Sequence, residues 1–306
     1  MVKVFEKYPK AMTSYRLIIF LGLLVGFTAC DQLFPGPSEN TSFGSAVSRG
    51  VLNNADIYEA SGLAVSRHQP NFIWTHNDSG DPNRIFLLDA TNAQWKATVT
   101  VENATNLDWE DMAAAVRDGV PTLYVGDTGD NLNQYSTHAI YRFPEPNPAT
   151  LSGNVSVSNV ERITYRYPDG QWDAEALMVD PQTLDIYIIS KVSSGTHLYR
   201  LPYPQSTTEV ITAETVASLS QSTITAADIS PDGQEILMKD YLTVYYWKRN
   251  AGESIAQTMQ RSARVMPYFP EPQGEAIAFA TDRSGYYTLS EDRNNIRAHL
   301  YFYPRK

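Results

Sequence analysis

The chain has 306 residues, with 24 Lys and Arg against 34 Asp and Glu and a formal net charge of −10. A surface with this excess of acids repels phosphate backbones, so we expect no nucleic-acid binding. The 19 Tyr, 11 Phe, 18 Pro and 17 Gly, together with the lack of a long window of helical periodicity, indicate an all-β protein.

The first 30 residues have the pattern of an export signal. Arg16 precedes an uninterrupted apolar run, Leu17 to Phe27, which ends in Phe-Thr-Ala-Cys30. That run is too short to cross a bilayer as an ordinary helix, which needs roughly 20 apolar residues. Met12 is an alternative start to Met1, because the residues that follow it already form a compact basic n-region.

Cys30 is the only cysteine, which excludes an intrachain disulfide and a Cys-ligated metal site. Its place after the small Ala29 at the end of the signal resembles a bacterial lipoprotein signal. The resemblance implies a lipid on Cys30 and anchoring to a membrane of the bacterial envelope, on the periplasmic or cell-surface side. The alternative is cleavage by ordinary signal peptidase, with Cys30 incidental.

Residues 31–44 have the composition of a flexible tether, with Pro35-Gly-Pro-Ser38 at their centre. No further linker-like stretch follows, so residues 45–306 are predicted to form one domain, and we expect a monomer. Without residues 1–30 the balance is 20 basic against 33 acidic residues.

Five segments of the domain repeat one plan: an apolar strand, a turn, a second strand ending in polar residues, and a third strand rich in Tyr or Phe. The first strands are predicted at Ser61–Ser66, Glu110–Ala115, Glu175–Asp180, Thr225–Ser230 and Glu275–Ala280. Fourth strands follow in four units, at Lys96–Val101, Val157–Tyr165, Val210–Ala217 and Ala263–Tyr268.

The fifth unit ends after its third strand, and Ala46–Leu52 is predicted to supply the missing one and close a ring. Four-stranded units closed by a strand from the other terminus describe a β-propeller. The fold predicted is therefore a five-bladed β-propeller closed by an N-terminal strand. A six-bladed propeller and a β-sandwich are the alternatives.

Oxygen-bearing side chains recur at the head of each innermost strand, where they would surround the mouth of the axial tunnel. They are Ser61, Glu110, Glu175, Thr225 and Glu275. Three carboxylates with no basic residue among them repel one another, and a divalent cation removes that repulsion. Acidic clusters at 108–111 and 126–131 should also meet at this edge, so we predict a Ca²⁺ site. The alternative is a wide, wet mouth with solvated glutamates.

The order Ser, Glu, Glu, Thr, Glu resembles the calcium ring of the Ca²⁺-activated nucleotidases (apyrases), five-bladed propellers whose series is Ser, Glu, Glu, Ser, Glu. A second resemblance is to secreted bacterial β-propellers without an assigned activity. It covers mainly the first two blades. The matching segments are Ser61–Leu63, Trp74–Asp81, Asp108–Asp111 and Tyr124–Asn131. These resemblances imply an axial Ca²⁺ and an acidic face.

Loops after the second strands are expected on the same face and combine acids, amides and bases, as in a phosphate or sugar site beside a metal. Turn chemistry alone is the competing explanation. Candidate catalytic residues are Asp78, Asp81, Asp127, Asp130 and His76. Candidate ligand-binding residues are Asn77, Asp111, Asn131, Lys191, Lys239 and Arg293.

Three functions are open from the sequence. The first is a Ca²⁺-dependent phosphohydrolase acting on a small anionic ligand. The second is a non-catalytic surface module that binds glycan, peptide or a partner protein. In the third, Ca²⁺ only stabilises the fold.

Overall fold

A computed structural model describes residues 42–306. The strands in chain order are β1 (Val47–Val51), β2 (Ala60–Val65), β3 (Phe72–Asn77), β4 (Arg84–Asp89), β5 (Trp95–Val101), β6 (Trp109–Arg117), β7 (Val120–Asp127), β8 (His138–Pro144), β9 (Gly153–Val157), β10 (Glu161–Arg166), β11 (Ala174–Val179), β12 (Ile186–Ser190), β13 (Thr196–Leu201), β14 (Ile211–Thr212), β15 (Glu214–Leu219), β16 (Ala226–Ile229), β17 (Glu235–Lys239), β18 (Val244–Lys248), β19 (Arg264–Met266), β20 (Gly274–Phe279), β21 (Gly285–Ser290) and β22 (His299–Pro304). A short 3-10 helix at Pro148–Thr150 and one α-helix, α1 (Ile255–Met259), complete the elements.

The strands form five sheets that are the blades of a propeller. Blade 1 contains β2–β5, blade 2 contains β6–β8 and β10, blade 3 contains β11–β13 and β15, and blade 4 contains β16–β19. Blade 5 contains β20–β22 and β1. Each innermost strand packs against the next, and β20 packs against β2, so the ring is closed. The predicted five-bladed propeller is confirmed.

Closure depends on the N-terminal strand, as predicted. β1 pairs with β22 in antiparallel register, from Val47 opposite Phe302 to Val51 opposite His299. Ahead of it, Phe43 forms a bridge with Arg305 and is 3% exposed. The packed part of the chain therefore begins before Ser45, the start expected from composition.

Two outer strands differ from the prediction. The predicted fourth strand 157–165 of blade 2 corresponds to β10, whereas β9, an additional strand that ends at Val157, pairs in parallel with β5 of blade 1. Likewise β14 pairs in parallel with β10, and β15 is the fourth strand of blade 3. In both cases the chain first crosses to the open edge of the preceding blade, where it covers unpaired backbone groups.

The core is divided among the five interfaces between blades, each filled by one cluster of buried apolar side chains. Trp74 and Trp109, for example, lie in the cluster between blades 1 and 2 and are completely buried. Each large apolar side chain that is fully buried contributes roughly 1.5–3 kcal/mol. Aromatic residues of the third strands, such as Phe86, Tyr141 and Tyr199, belong to these clusters and help to pack the blades together.

Candidate functional site

One edge of the propeller carries both the loops that precede the innermost strands and the loops that follow the second strands. Pairings such as Ala60 with Asn77 and Trp109 with Asp127 place the two sets of loops together. We call this edge the acidic face. Phe43 lies at the opposite edge, because its partner Arg305 follows the end of β22 that pairs with the start of β21.

Four of the five predicted ring residues sit in β-bulges. The pairing with the second strand shifts register at Ser61, Glu110, Glu175 and Glu275, whereas the β16 ladder after Thr225 is regular. A bulge bends the strand locally and redirects a side chain. These heads of strands are therefore shaped differently from the regular strands that follow them.

Three carboxylates that could hold a metal ion come together between blades 1 and 2. They belong to Asp78, after β3, to Asp108, before β6, and to Glu110, in the bulge of β6. One oxygen of each lies within 4.8 Å of the others. Gly129 approaches this group so closely that an added Cβ would collide with the carboxylates of Asp108 and Glu110. Only glycine leaves room for both at this position.

Negative charge in this group is not neutralised by a base. Within residues 42–306, neither Lys nor Arg forms an ion pair with Asp78, Asp108 or Glu110. Burial, with the Glu175 and Asp78 carboxylates, raises the pKa of Glu110 well above its ordinary value. Burial, with the Asp108 carboxylate, raises the pKa of Asp78 to about 7. The protein alone therefore holds these carboxylates at an electrostatic cost.

The geometry of the three carboxylates fits a hard cation. Ca²⁺ binds oxygen at about 2.3–2.6 Å, so oxygens on opposite sides of one ion lie roughly 5 Å apart. The three carboxylate oxygens all lie within 4.8 Å of one another, close enough for one ion to contact all three. The donor set contains neither His nor Cys, the ligands that transition metals prefer. We call Asp78, Asp108 and Glu110 the acidic triad.

On the other side of the mouth, on blades 3 to 5, the ring carboxylates accept hydrogen bonds from neighbouring side chains. The ammonium of Lys191 forms an ion pair with Glu175 and donates to the Tyr241 hydroxyl at 3.1 Å. Tyr241 in turn donates to Glu275 at 3.2 Å, and the Gln273 amide donates to the same oxygen at 3.1 Å. Two of the predicted ring carboxylates are thus supplied with donors by the chain itself.

Two ring hydroxyls also have partners. Ser61 donates to the backbone carbonyl of Glu110 at 2.5 Å, which ties blade 1 to blade 2. The buried Lys239 ammonium lies 3.3 Å from the Thr225 hydroxyl and donates to the Gly274 carbonyl. The assumption that no basic residue lies among the ring residues is therefore wrong. Lys191 and Lys239 reach them from the ends of the second strands.

Three residues of the acidic face are not predicted by the sequence pattern: Tyr241, Glu291 and Gly129. Glu291 is 4% exposed, and burial next to the Glu275 carboxylate raises its pKa to about 9. Tyr241 follows Lys239 and Asp240 in a predicted loop, and Glu291 begins another such loop. All three lie in loops that follow a second strand, which is the one sequence feature that points to them. The fold is needed to show which residues of these loops turn toward the mouth.

Most candidate catalytic side chains are engaged in structural contacts. His76 is completely buried, with Nδ1 2.9 Å from the Asn77 carbonyl, and burial lowers its pKa to about 4. Asp81 forms an ion pair with Arg84 at 2.8 Å. The other two hold loop backbone: Asp127 accepts the N–H groups of Leu107 and Asp108, and Asp130 accepts those of Gln134 and Tyr135. Only Asp78 belongs to the acidic triad.

Some candidate ligand-binding residues are engaged in structural contacts, and others are exposed on the acidic face. The Asn77 amide orders the loop before β2 through Tyr58, Glu59 and Asp56. Arg293 and Asn131 are exposed on loops of the acidic face.

Asp111 lies inside the tunnel. It accepts N–H groups of Met112 at 2.8 Å, Leu177 at 2.9 Å and Ala227 at 3.3 Å. One carboxylate thereby joins the innermost strands of blades 2, 3 and 4. Burial raises the pKa of Asp111, and the three donors act in the opposite direction.

The predicted signal sequence, Cys30 and most of the predicted tether lie outside the described residues. In residues 42–306 no helix is long and apolar enough to cross a membrane.

Comparison with known proteins identifies no family for this chain. No protein-family model matches the chain, and no curated protein matches it. Among solved structures, a chain of Kuenenia stuttgartiensis hydrazine synthase is similar over 78% of this chain and 70% of that chain, with 9% sequence identity and a TM-score of 0.41. At this level the similarity says nothing about what the present chain binds. The assignment as a β-propeller stands on the sheet topology, and the site stands on its side-chain geometry.

Proposed function

We propose that this protein is an exported β-propeller that binds Ca²⁺ through the acidic triad and uses the bound cation to hold an anionic ligand. The observation that carries the proposal is Glu110. Its carboxylate is buried, 3% exposed as a residue, and has no hydrogen-bond donor among the described residues. It faces two further carboxylates. A buried charge without a partner is costly, and a cation at this point offsets the cost.

We place the protein in a bacterial envelope, anchored by a lipid on Cys30. The support is the signal pattern and the single cysteine at its end. The position of Phe43 is compatible with this, because the packed chain begins at the edge opposite the acidic face. The acidic face is then free to receive a ligand.

For the ligand we propose a phosphate ester or anhydride that is hydrolysed. A bound divalent cation would polarise a phosphoryl oxygen while water attacks phosphorus and the bridging P–O bond breaks. Lys191 is suited to hold another anionic oxygen, because its side chain is 21% exposed. Burial alone would lower the pKa of Lys191, but the ion pair with Glu175 raises it.

A non-catalytic binding module is the second candidate. Lys191 is already paired with Glu175, and four of the five candidate catalytic side chains are held in structural contacts. Such a site would bind an anion and leave it unchanged.

The test is calcium titration of protein stripped with a chelator, by calorimetry and thermal melting. A hundredfold excess of ligand over Kd stabilises a protein by about 2.7 kcal/mol, which raises the melting temperature by roughly 5 °C or more. Asp118→Asn, in a turn at the opposite edge, serves as control and should respond like wild type. A melting temperature indifferent to Ca²⁺ and chelator, with no metal retained on purification, contradicts the proposal.

Turnover separates the two candidates. Phosphate release from a nucleoside diphosphate that requires Ca²⁺ and stops with chelator supports the hydrolase. Calcium binding without any turnover leaves the binding module.

A further inference from the structure

The acidic triad is carried by two separate segments of the chain. Asp78 belongs to the loop that follows β3, whereas Asp108 and Glu110 belong to the segment that leads into β6. Carboxylates placed together repel one another, so the two segments would separate unless other contacts oppose the repulsion. The chain therefore needs side chains that fix both segments without neutralising the triad.

Asn106 contacts the backbone of both segments. Its amide nitrogen donates to the Asp78 carbonyl at 2.9 Å, and its amide oxygen accepts the N–H of Trp109 at 3.0 Å. Trp109 stands between Asp108 and Glu110 in the sequence. One side chain thus joins the backbone segments that carry all three residues of the acidic triad.

Asp127, at the end of β7, holds the segment that carries Asp108. One oxygen of the Asp127 carboxylate accepts the N–H groups of Leu107 at 3.1 Å and Asp108 at 2.8 Å. Conversely, the Asp108 carbonyl accepts the N–H groups of Thr128 and Gly129, both at 3.2 Å. These hydrogen bonds fix the backbone of Asp108 against the loop that follows β7.

The loop that follows β7 is itself fixed to blade 3. The Thr128 hydroxyl donates to the Ala174 carbonyl at 2.7 Å, and the Asp130 N–H donates to the Asp173 carboxylate at 2.7 Å. The loop cannot shift without breaking these contacts between two blades. The hydrogen-bonded frame around the triad therefore extends to the junction of blades 2 and 3.

Ordinary turn chemistry does not account for these contacts. Asp and Asn in turns accept N–H groups of residues close by in the sequence, as Asp240 does from Leu242 and Thr243. Asp127, by contrast, reaches back 19 and 20 residues, and Asn106 donates to a carbonyl 28 residues earlier. Asn106 and Asp127 therefore connect segments that a turn alone would leave independent.

We propose that Asn106 and Asp127 are positioning residues of the calcium site, which set its affinity and its selectivity for Ca²⁺ over Mg²⁺. The inference rests on the proposed function and adds to it the residues that hold the ligands in place. Site rigidity tunes the affinity of oxygen-ligated Ca²⁺ sites. Mg²⁺ needs oxygens at about 2.0–2.1 Å, closer than the roughly 2.3–2.6 Å of Ca²⁺, so a frame that cannot contract excludes it.

The experiment measures the dissociation constants of Ca²⁺ and Mg²⁺ by calorimetry in paired variants of the whole protein. Asp127→Ala removes the acceptor, whereas Asp127→Asn keeps an acceptor oxygen and carries no charge. We expect Asp127→Ala to bind Ca²⁺ about tenfold more weakly than Asp127→Asn and to lose most of its selectivity over Mg²⁺. Equal calcium affinities overturn the positioning role, because both variants have lost the same charge.

Asn106→Asp gives a test of opposite sign. The added negative charge alone would tighten calcium binding. A carboxylate cannot donate to the Asp78 carbonyl, so the positioning role predicts binding about tenfold weaker than wild type. Unchanged or tighter binding overturns the role of Asn106. Because this variant keeps the acceptor for the Trp109 N–H, it also serves where Asp127→Ala does not fold.

Asp240→Ala is the matched control. It removes a carboxylate that accepts two loop N–H groups and the Tyr245 hydroxyl on blade 4. The melting temperature without calcium should fall, whereas calcium affinity should stay within about twofold of wild type, because the site is distant. A loss of about tenfold in this control would mean that loop stability alone governs the site, and would overturn the proposal.

Failure of this inference is distinguishable from failure of the proposed function. A wild type that binds Ca²⁺, with variants that all bind it equally well, overturns the positioning residues and leaves the calcium site standing. A wild type that binds no Ca²⁺ contradicts the proposed function, and this inference with it.

Discussion

The two sides of the mouth solve the same electrostatic problem differently. On blades 3 to 5, the ring carboxylates of Glu175 and Glu275 receive an ammonium, a phenol and an amide from the chain. On blades 1 and 2, Glu110 receives no donor from the described residues, and two more carboxylates are placed beside it. We call these the closed side and the open side.

The difference shows that a repeated position does not imply a repeated role. Bulges place a carboxylate at the head of a strand on both sides. The side chains that reach them from the second strands decide whether a charge is left for an external cation. We therefore place the proposed cation site at the junction of blades 1 and 2, and not on the axis, where the ring of five would put it.

The largest expected effect comes from removing one carboxylate on each side. Glu110→Gln takes a ligand from the open side and should weaken calcium binding by about 100-fold or more, because a neutral amide replaces a charged ligand. Glu275→Gln takes an acid from the closed side, where Tyr241 already donates to it, and should retain most of the affinity. Calcium titration of both variants measures the contrast. Equal losses of calcium affinity in the two variants would indicate that the ion lies on the axis and not between blades 1 and 2.

Gly129→Ala tests the open side with a steric clash and leaves the charge of the site unchanged. The added Cβ collides with the carboxylates of Asp108 and Glu110 and should separate them, lowering calcium affinity about tenfold. Gly119→Ala, at positive φ with open space at the opposite edge, should lose stability without losing calcium affinity. Melting and calcium titration of both proteins distinguish the two effects.

The open side should also respond to pH. Asp78 has a pKa raised to about 7, so below that pH it holds a proton that Ca²⁺ must displace. Calcium affinity should therefore fall as pH drops from 8 to 6, by up to about tenfold per pH unit for each proton displaced. In Asp78→Asn the affinity should be weaker and its slope with pH shallower. An unchanged slope would mean that Asp78 is not a ligand.

The smallest effect is expected from opening the closed side. Lys191→Met leaves Glu175 without its ion pair, which should cost roughly 1–3 kcal/mol of stability in the absence of calcium, since the pair is partly exposed. The extra negative charge should raise calcium affinity a few-fold. Lys191→Arg keeps the charge and should do neither. The melting temperature with and without Ca²⁺ reports both changes, and a loss of affinity in Lys191→Met would contradict the account.

The fold could be predicted because the same order of apolar strands recurs five times along the sequence. Apolar patterns of the five innermost strands align with one another, and the closing strand Val47–Val51 fills the one place that the repeat leaves open. The exchanged strands β9 and β14 could not be predicted, because their pairing with the preceding blade depends on which sheet edge is open.

The site could be predicted only in part. The sequence indicated that acids near Asp108 would meet acids after neighbouring strands, and Glu110 was placed at the mouth. It did not indicate that Lys191 and Lys239 reach the ring, because a long side chain can turn inward or outward with the same strand pattern. The close approach of Gly129 to two carboxylates could not be predicted either, because it is a contact between segments that are separate in the sequence.

The most direct test is a crystal structure grown with Ca²⁺, or with Mn²⁺ located by its anomalous signal. The account predicts one ion between Asp78, Asp108 and Glu110, within about 2.3–2.6 Å of an oxygen of each for Ca²⁺. An ion on the axis among Ser61, Glu175, Thr225 and Glu275, or no ion at the mouth, would contradict it.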